Sequence, residues 1–134
     1  MFFLILTLLA FSCAEEPSVK DIEKALLSRY RWLADVKDIR VTTMVKVKED
    51  LYFAQVKFAL HFKKNIEEVE KEITQQIKSG NLYKDMRLLA NAVLLKDTVN
   101  RCGRHKINRE SVCYLSENVE IVNIRGSWVV KFIK

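Results

Sequence analysis

From Ile39 to Lys63 the side chains alternate in character on both sides of a short polar break. Ile39, Val41, Thr43, Val45 and Val47 alternate with Arg40, Thr42, Met44, Lys46 and Lys48. After Glu49-Asp50, the series Tyr52, Ala54, Val56, Phe58, Leu60 and Phe62 alternates with Phe53, Gln55, Lys57, Ala59, His61 and Lys63. A period of two places each series on one face of a strand, so the stretch predicts a β-hairpin. Closing it at Glu49-Asp50 sets Val47 opposite Tyr52, Val45 opposite Ala54, Thr43 opposite Val56 and Val41 opposite Phe58. The apolar faces coincide in that register, and a slip of one residue would destroy the match. The other face carries Arg40, Lys46, Lys48, Lys57, His61 and Lys63, with Met44 and Phe53 among them, and reads as solvated or only partly covered.

Helical patterns flank the hairpin. Ser18 is a candidate N-cap with Asp21 in the first turn, and Ile22, Ala25, Leu26, Arg29, Tyr30 and Leu33 follow at helical spacing. This predicts a helix over 18–34, with Trp32 packing on the sheet. Asn65 with Glu68 has the spacing of a capping box; Ile66, Val69, Ile73 and Ile77 form a narrow stripe that Ser79-Gly80 ends. A second helix over 82–101 carries two apolar stripes, Leu82, Met86, Leu89, Val93 and Leu88, Ala92, Leu95, Val99. That arc is wider than a surface helix needs. Either the helix is enclosed between the sheet and its neighbour, or the stripe Leu88, Ala92, Leu95, Val99 faces a ligand or partner.

Ser111 to Leu115 reads as a strand, Ser116-Glu117-Asn118 as a turn, and Val119–Ile124 with Trp128–Ile133 as a terminal hairpin through Arg125-Gly126-Ser127. With Arg125-Gly126 as a two-residue turn, Glu120 faces Lys131, Ile121 faces Val130 and Val119 faces Phe132; a three-residue loop would shift this by one. The order α-β-β-α-α-β-β-β implies an α+β fold with a mostly antiparallel sheet packed against helices. The ending VEIVNIRGSWVVKFI resembles the final hairpin of NTF2-like and cystatin-like domains. That resemblance implies a curved sheet wrapping a helix. It also implies either a pocket protein for an apolar small molecule or lipid, or an NTF2-like enzyme. The helical pair in mid-chain departs from a simple version of that fold, and no functional residue is carried over.

The chain opens MFFLILTLLAFSCAEEPSVKD. Its uncharged run is short of the roughly 20 apolar residues of a spanning helix, and suits the apolar region of a secretory signal peptide, although no Lys or Arg follows Met1. Leu9-Ala10-Phe11-Ser12-Cys13 resembles a bacterial lipobox, with Ala10 where Leu is usual and Phe11 bulkier than usual. The resemblance implies cleavage before Cys13 and a lipid on that cysteine. Ala14, in the next position, resembles the outer-membrane sorting pattern of enteric two-membrane bacteria. Alternatively, Ser12 and Ala14 satisfy the small-x-small rule, with a cut after Ala14 and a soluble secreted product. The expected division is a signal over 1–13, a linker over 14–18 and a single domain over 19–134.

Of three cysteines, an anchored Cys13 leaves Cys102 and Cys113 to pair. A disulfide there would tie the end of the long helix to the following strand. It would also display a basic loop, with Arg101, Arg104, His105, Lys106 and Arg109 as a contact surface. Cys102, His105 and Cys113 lack the second close pair and the fourth ligand of a zinc site, so no metal is expected. Glu67-Glu68 and Glu70-Lys71-Glu72 read as the solvent side of a helix, where charge pairing is structural at best.

With 49% hydrophobic and 30% charged residues, three Gly and one Pro, the chain is globular and has no Gly-rich phosphate loop. No Walker loop, Gly-x-Ser-x-Gly elbow or His-Glu-x-x-His occurs, and no cofactor is expected. The net charge of +6 suits anionic headgroups, wall polymers or an acidic partner, since export removes nucleic acid as the usual substrate. The sequence therefore predicts a non-catalytic, periplasm-facing lipoprotein of the cell envelope. It would act as a binding or assembly accessory, held at the membrane by its lipid and meeting a protein partner or an anionic envelope component.

Overall fold

A computed structural model describes residues 16–78 and 82–133, with the side chains of 82–85 excepted. Cys13 and its surroundings, the Ser79-Gly80 helix stop and the Leu82 side chain lie outside the described residues. The elements are α1 (Val19–Tyr30), β1 (Ala34–Lys48), β2 (Leu51–Phe62), α2 (Ile66–Ile77), α3 (Leu82–Cys102), a 3-10 turn (Arg104–Lys106), β3 (Val112–Ile124) and β4 (Ser127–Ile133). The strands form one antiparallel sheet in the order β1-β2-β3-β4, and the fold is α+β.

Two boundaries differ from the sequence expectation. Helix α1 stops at Tyr30 instead of running to 34. There the Leu33 N–H bonds the Tyr30 carbonyl at 2.8 Å and the Trp32 indole N–H donates to the Arg29 carbonyl at 3.0 Å, so Trp32 serves the helix end. Buried Ala34 and Val36, alternating with exposed Asp35 and Lys37, already belong to the strand. The second difference is at Ser116-Glu117-Asn118, which is not a turn: the two flanking runs fuse into the single strand β3. Cys113, Leu115, Glu117, Val119 and Ile121 are its buried series. The polar Glu117 occupies one of those inward positions, which hides the period from a hydropathy reading.

The chain gathers into two compact units. The first draws its described residues from 16–25, 41–56 and 117–133. Ser18 opens α1, its backbone N–H and hydroxyl both donating to Asp21 Oδ2, at 2.9 and 3.2 Å. The core contains Ile22, Tyr52, Ala54, Val56, Val119 and Ile121. Trp128 meets Tyr52 edge to face, with ring centroids 5.4 Å apart. The β3–β4 register is the two-residue alternative: Glu120 faces Lys131, Ile121 faces Val130 and Val119 faces Phe132. Arg125 and Gly126, at φ 53° and 87°, supply the two positive dihedrals of a type I′ turn, and Asn123 Oδ1 accepts from the Gly126 N–H at 2.9 Å.

The β1–β2 hairpin turns at Glu49-Asp50. Its β2 side is buried as the alternation predicts, but Val45 and Val47 on the edge strand β1 stay 52% and 49% exposed. Among the described residues the matched apolar face is therefore buried along β2, whereas on β1 the cover falls away toward the turn, from half-buried Val41 to exposed Val45 and Val47.

The second unit comprises 26–40 and 57–116. Leu26, Tyr30, Leu33, Phe58, Leu60, Phe62, Ile66, Val69, Leu88, Leu95, Ile107 and Leu115 are buried in it. Tyr30 and Phe58 touch at 5.4 Å between centroids. Burying each large apolar side chain contributes about 1.5–3 kcal/mol relative to leaving it exposed.

Candidate functional site: an interhelical groove bordered by a disulfide loop

Within the second unit, α2 and α3 lie side by side. Leu88 and Leu95 are buried, while Ala92 and Val99 are half-buried. Ala92, Leu95 and Val99 line a groove of about 340 Å³ with Ile66, Ile73 and Thr74, rimmed by Glu70, Lys96 and Arg104. The rest of the buried arc of α3 is Leu94 and Thr98, on the flank away from the other stripe. Met86, Leu89 and Val93 are exposed, so an enclosure of both stripes between sheet and neighbour does not hold for these residues. Leu94 and Thr98 were the signal missed. Thr98 hides its hydroxyl by donating to the Leu94 carbonyl at 2.7 Å, and so fills a core position despite its polarity.

Cys102 and Cys113 are bonded, with Cα atoms 5.9 Å apart. The bridge consumes both thiols, so the trio Cys102, His105 and Cys113 offers no thiolate to zinc. Among the described residues no three His, Cys, Asp or Glu side chains gather as a metal-holding group. His61 is half-buried on β2.

The loop between the cysteines is tied down on α2. Arg109 donates to both carboxylate oxygens of Glu68 at 3.1 Å, and Arg104 binds Glu70. The side-chain Oδ1 of Asn65 accepts from the Arg109 backbone N–H at 3.1 Å, and the Ile66 N–H donates to the Ile107 backbone carbonyl at 2.9 Å. Asn65 does hold the N-cap position, but its side chain makes no cap bond to the helix backbone: its Oδ1 accepts from the loop and its Nδ2 donates to Glu68 Oε1 at 3.5 Å. The hydrogen bond from Arg104, aided by its charge and opposed by slight burial, lowers the pKa of Glu70; Glu70 in turn raises that of Arg104.

The expected basic surface is thus largely engaged within the fold. Arg101 pairs with Asp97 at 3.6 Å and donates to the Ser116 carbonyl at 2.5 Å. His105 and Lys106 are exposed, with no side-chain hydrogen-bond or ion-pair partner among the described residues. Arg104 and His105 also border a hollow of about 590 Å³ with Asn65, Glu67 and Asn108. The groove therefore offers an apolar floor with a cation, Lys96, at its rim, a pairing suited to an apolar chain with an anionic end. Compared with known proteins, the chain matches no family model, no curated protein and no solved structure.

Proposed function

We propose that this chain is a small exported protein, held at the cell envelope by lipid on Cys13 and working there by binding, without catalysis. The cysteine pairing carries the reading. Cys102 and Cys113 satisfy each other, so Cys13 is the odd thiol, and it stands at the end of an uncharged apolar run in a lipobox-like context. A stable disulfide also suits an oxidising compartment outside the cytosol. Among the described residues no helix is long and apolar enough to cross a membrane; lipid on Cys13 would supply the attachment. The exposed cations Arg40, Lys48 and Lys57 of the sheet and Lys106 of the disulfide loop favour an anionic envelope component or an acidic protein as the partner.

The interhelical groove favours a second reading, a carrier for a lipid or other apolar small molecule. One experiment addresses both. The chain is expressed in a bacterial host with a radiolabelled fatty acid, fractionated, and its non-covalent extract analysed by mass spectrometry. Label that follows the protein into the membrane fraction, and is lost with Cys13→Ser, is the expected result. Membrane association without label would overturn the anchor, and a co-purifying free lipid would favour the carrier.

A further inference from the structure

The second unit holds a hollow of about 570 Å³ whose lining comes from three neighbouring strands: Asp38, Ile39 and Arg40 from β1, Lys57 and Phe58 from β2, and Tyr114, Leu115 and Ser116 from β3. Phe58 and Leu115 are buried. The polar members are open to solvent, and Tyr114 is 77% exposed, far more than an aromatic that serves the core. Arg40 and Lys57 have no ion-pair partner among the described residues, unlike Arg104 and Arg109 on the loop. Asp38 adds a carboxylate from a backbone turned to φ 55°, a conformation that Asp tolerates better than most residues.

These groups ask for a ligand with particular parts. Tyr114 offers an apolar ring face with a hydroxyl at its tip. Two cations without internal partners call for an anion. A carboxylate beside them accepts hydrogen bonds only, so the ligand must also bring donors, and the Ser116 hydroxyl can give or take one. A plain phosphate or sulfate satisfies the cations but leaves Tyr114 idle and is repelled by Asp38. A neutral sugar satisfies Tyr114 and Asp38 but leaves the cations unmatched. A pyranose ring carrying a carboxylate or phosphate meets all of them: ring face on Tyr114, hydroxyls to Asp38 and Ser116, charge to Arg40 and Lys57.

We infer that this hollow is a binding site for an anionic saccharide. The inference deepens the binding reading above by naming the ligand class, and it stands apart from the anchor, which is tested by lipid labelling. Two sources share the chemistry, a uronic-acid glycan and a sugar phosphate, and the probes separate them.

The full chain is titrated by calorimetry with trigalacturonic acid, glucose 6-phosphate, neutral maltotriose and inorganic phosphate. Either anionic sugar is expected to bind, more weakly as salt is raised because both cations are exposed. Maltotriose and inorganic phosphate are expected to bind at least about tenfold less tightly. Tyr114→Ala and the pair Arg40→Gln/Lys57→Gln should each weaken binding by about tenfold or more while leaving the fold intact, since these side chains are exposed. A response to the uronate alone identifies a carboxylated glycan, and one to the sugar phosphate alone a phosphorylated one. Absence of binding by both, equal binding of inorganic phosphate, or binding indifferent to Tyr114→Ala would overturn the site.

Discussion

Glu70 lies on the outward side of α2, where a carboxylate is ordinarily free in water, yet it is held by an arginine 34 residues further along the chain. Because that bond lowers the folded-state pKa of Glu70 below its ordinary 4.5, the pair stabilises the fold above the unfolded value and is lost as pH falls through the folded one. Glu70→Gln should therefore lower the urea midpoint modestly near neutral pH, by the small amount typical of exposed pairs, and make no difference at about pH 2. A midpoint difference that persists undiminished in acid would show that Glu70 acts by something other than its charge. At this scale the cysteines were legible in the sequence and the carboxylates were not. Three cysteines permit few pairings, and anchoring one leaves a single choice. The partners of Glu68 and Glu70 are separated from them by 41 and 34 residues, and no local spacing announces them.

Among the elements, Gly103 and Gly126 make a controlled comparison. Gly103, at φ 92° and ψ 138°, follows α3, and Gly126, at φ 87°, closes the β3–β4 hairpin. An alanine at Gly126 would meet nothing within 4 Å, so its cost is that of the backbone alone, about 1–2 kcal/mol. An alanine at Gly103 would set its Cβ 3.0 Å from the His105 ring and take up a more restricted dihedral, at a backbone cost of about 1–3 kcal/mol. Gly103→Ala should be the more destabilising in urea unfolding, and adding His105→Ala should recover only the steric share. Equal losses for the two alanines would contradict this account. The terminal hairpin was legible because Arg125-Gly126 is turn chemistry between alternating runs. The length of β3 was not, because its inward Glu117 imitates the polar break that ends a strand. The start of β1 was missed for the opposite reason, since Leu33 and Ala34 continue the apolar pattern of the helix before them.

For the whole molecule, the bridge between Cys102 and Cys113 is the largest single restraint on the unfolded chain. A sequence separation of 11 implies about 3 kcal/mol from loop closure. Cys102→Ser/Cys113→Ser should lower stability by about that amount and free the Arg104 and Arg109 contacts to exchange amide hydrogens faster. Unchanged stability together with two alkylatable thiols in the native protein would remove the bridge from the account. The fold class was readable from element order, but the grouping of residues into two units was not, because it depends on contacts between segments far apart in sequence. Neither unit is a continuous stretch: the second is complete at Ser116, whereas the first needs 117–133 as well as its two earlier pieces. A chain that emerges residue by residue, from a ribosome or through a translocation channel, therefore holds every residue of the second unit while the first still lacks the far half of β3 and all of β4. On that order of emergence, the pairing of β4 with β3 has to follow the appearance of every residue of the second unit. Until then β3 is an edge of the sheet, and the arrival of β4 gives it a partner and passes the edge on to β4.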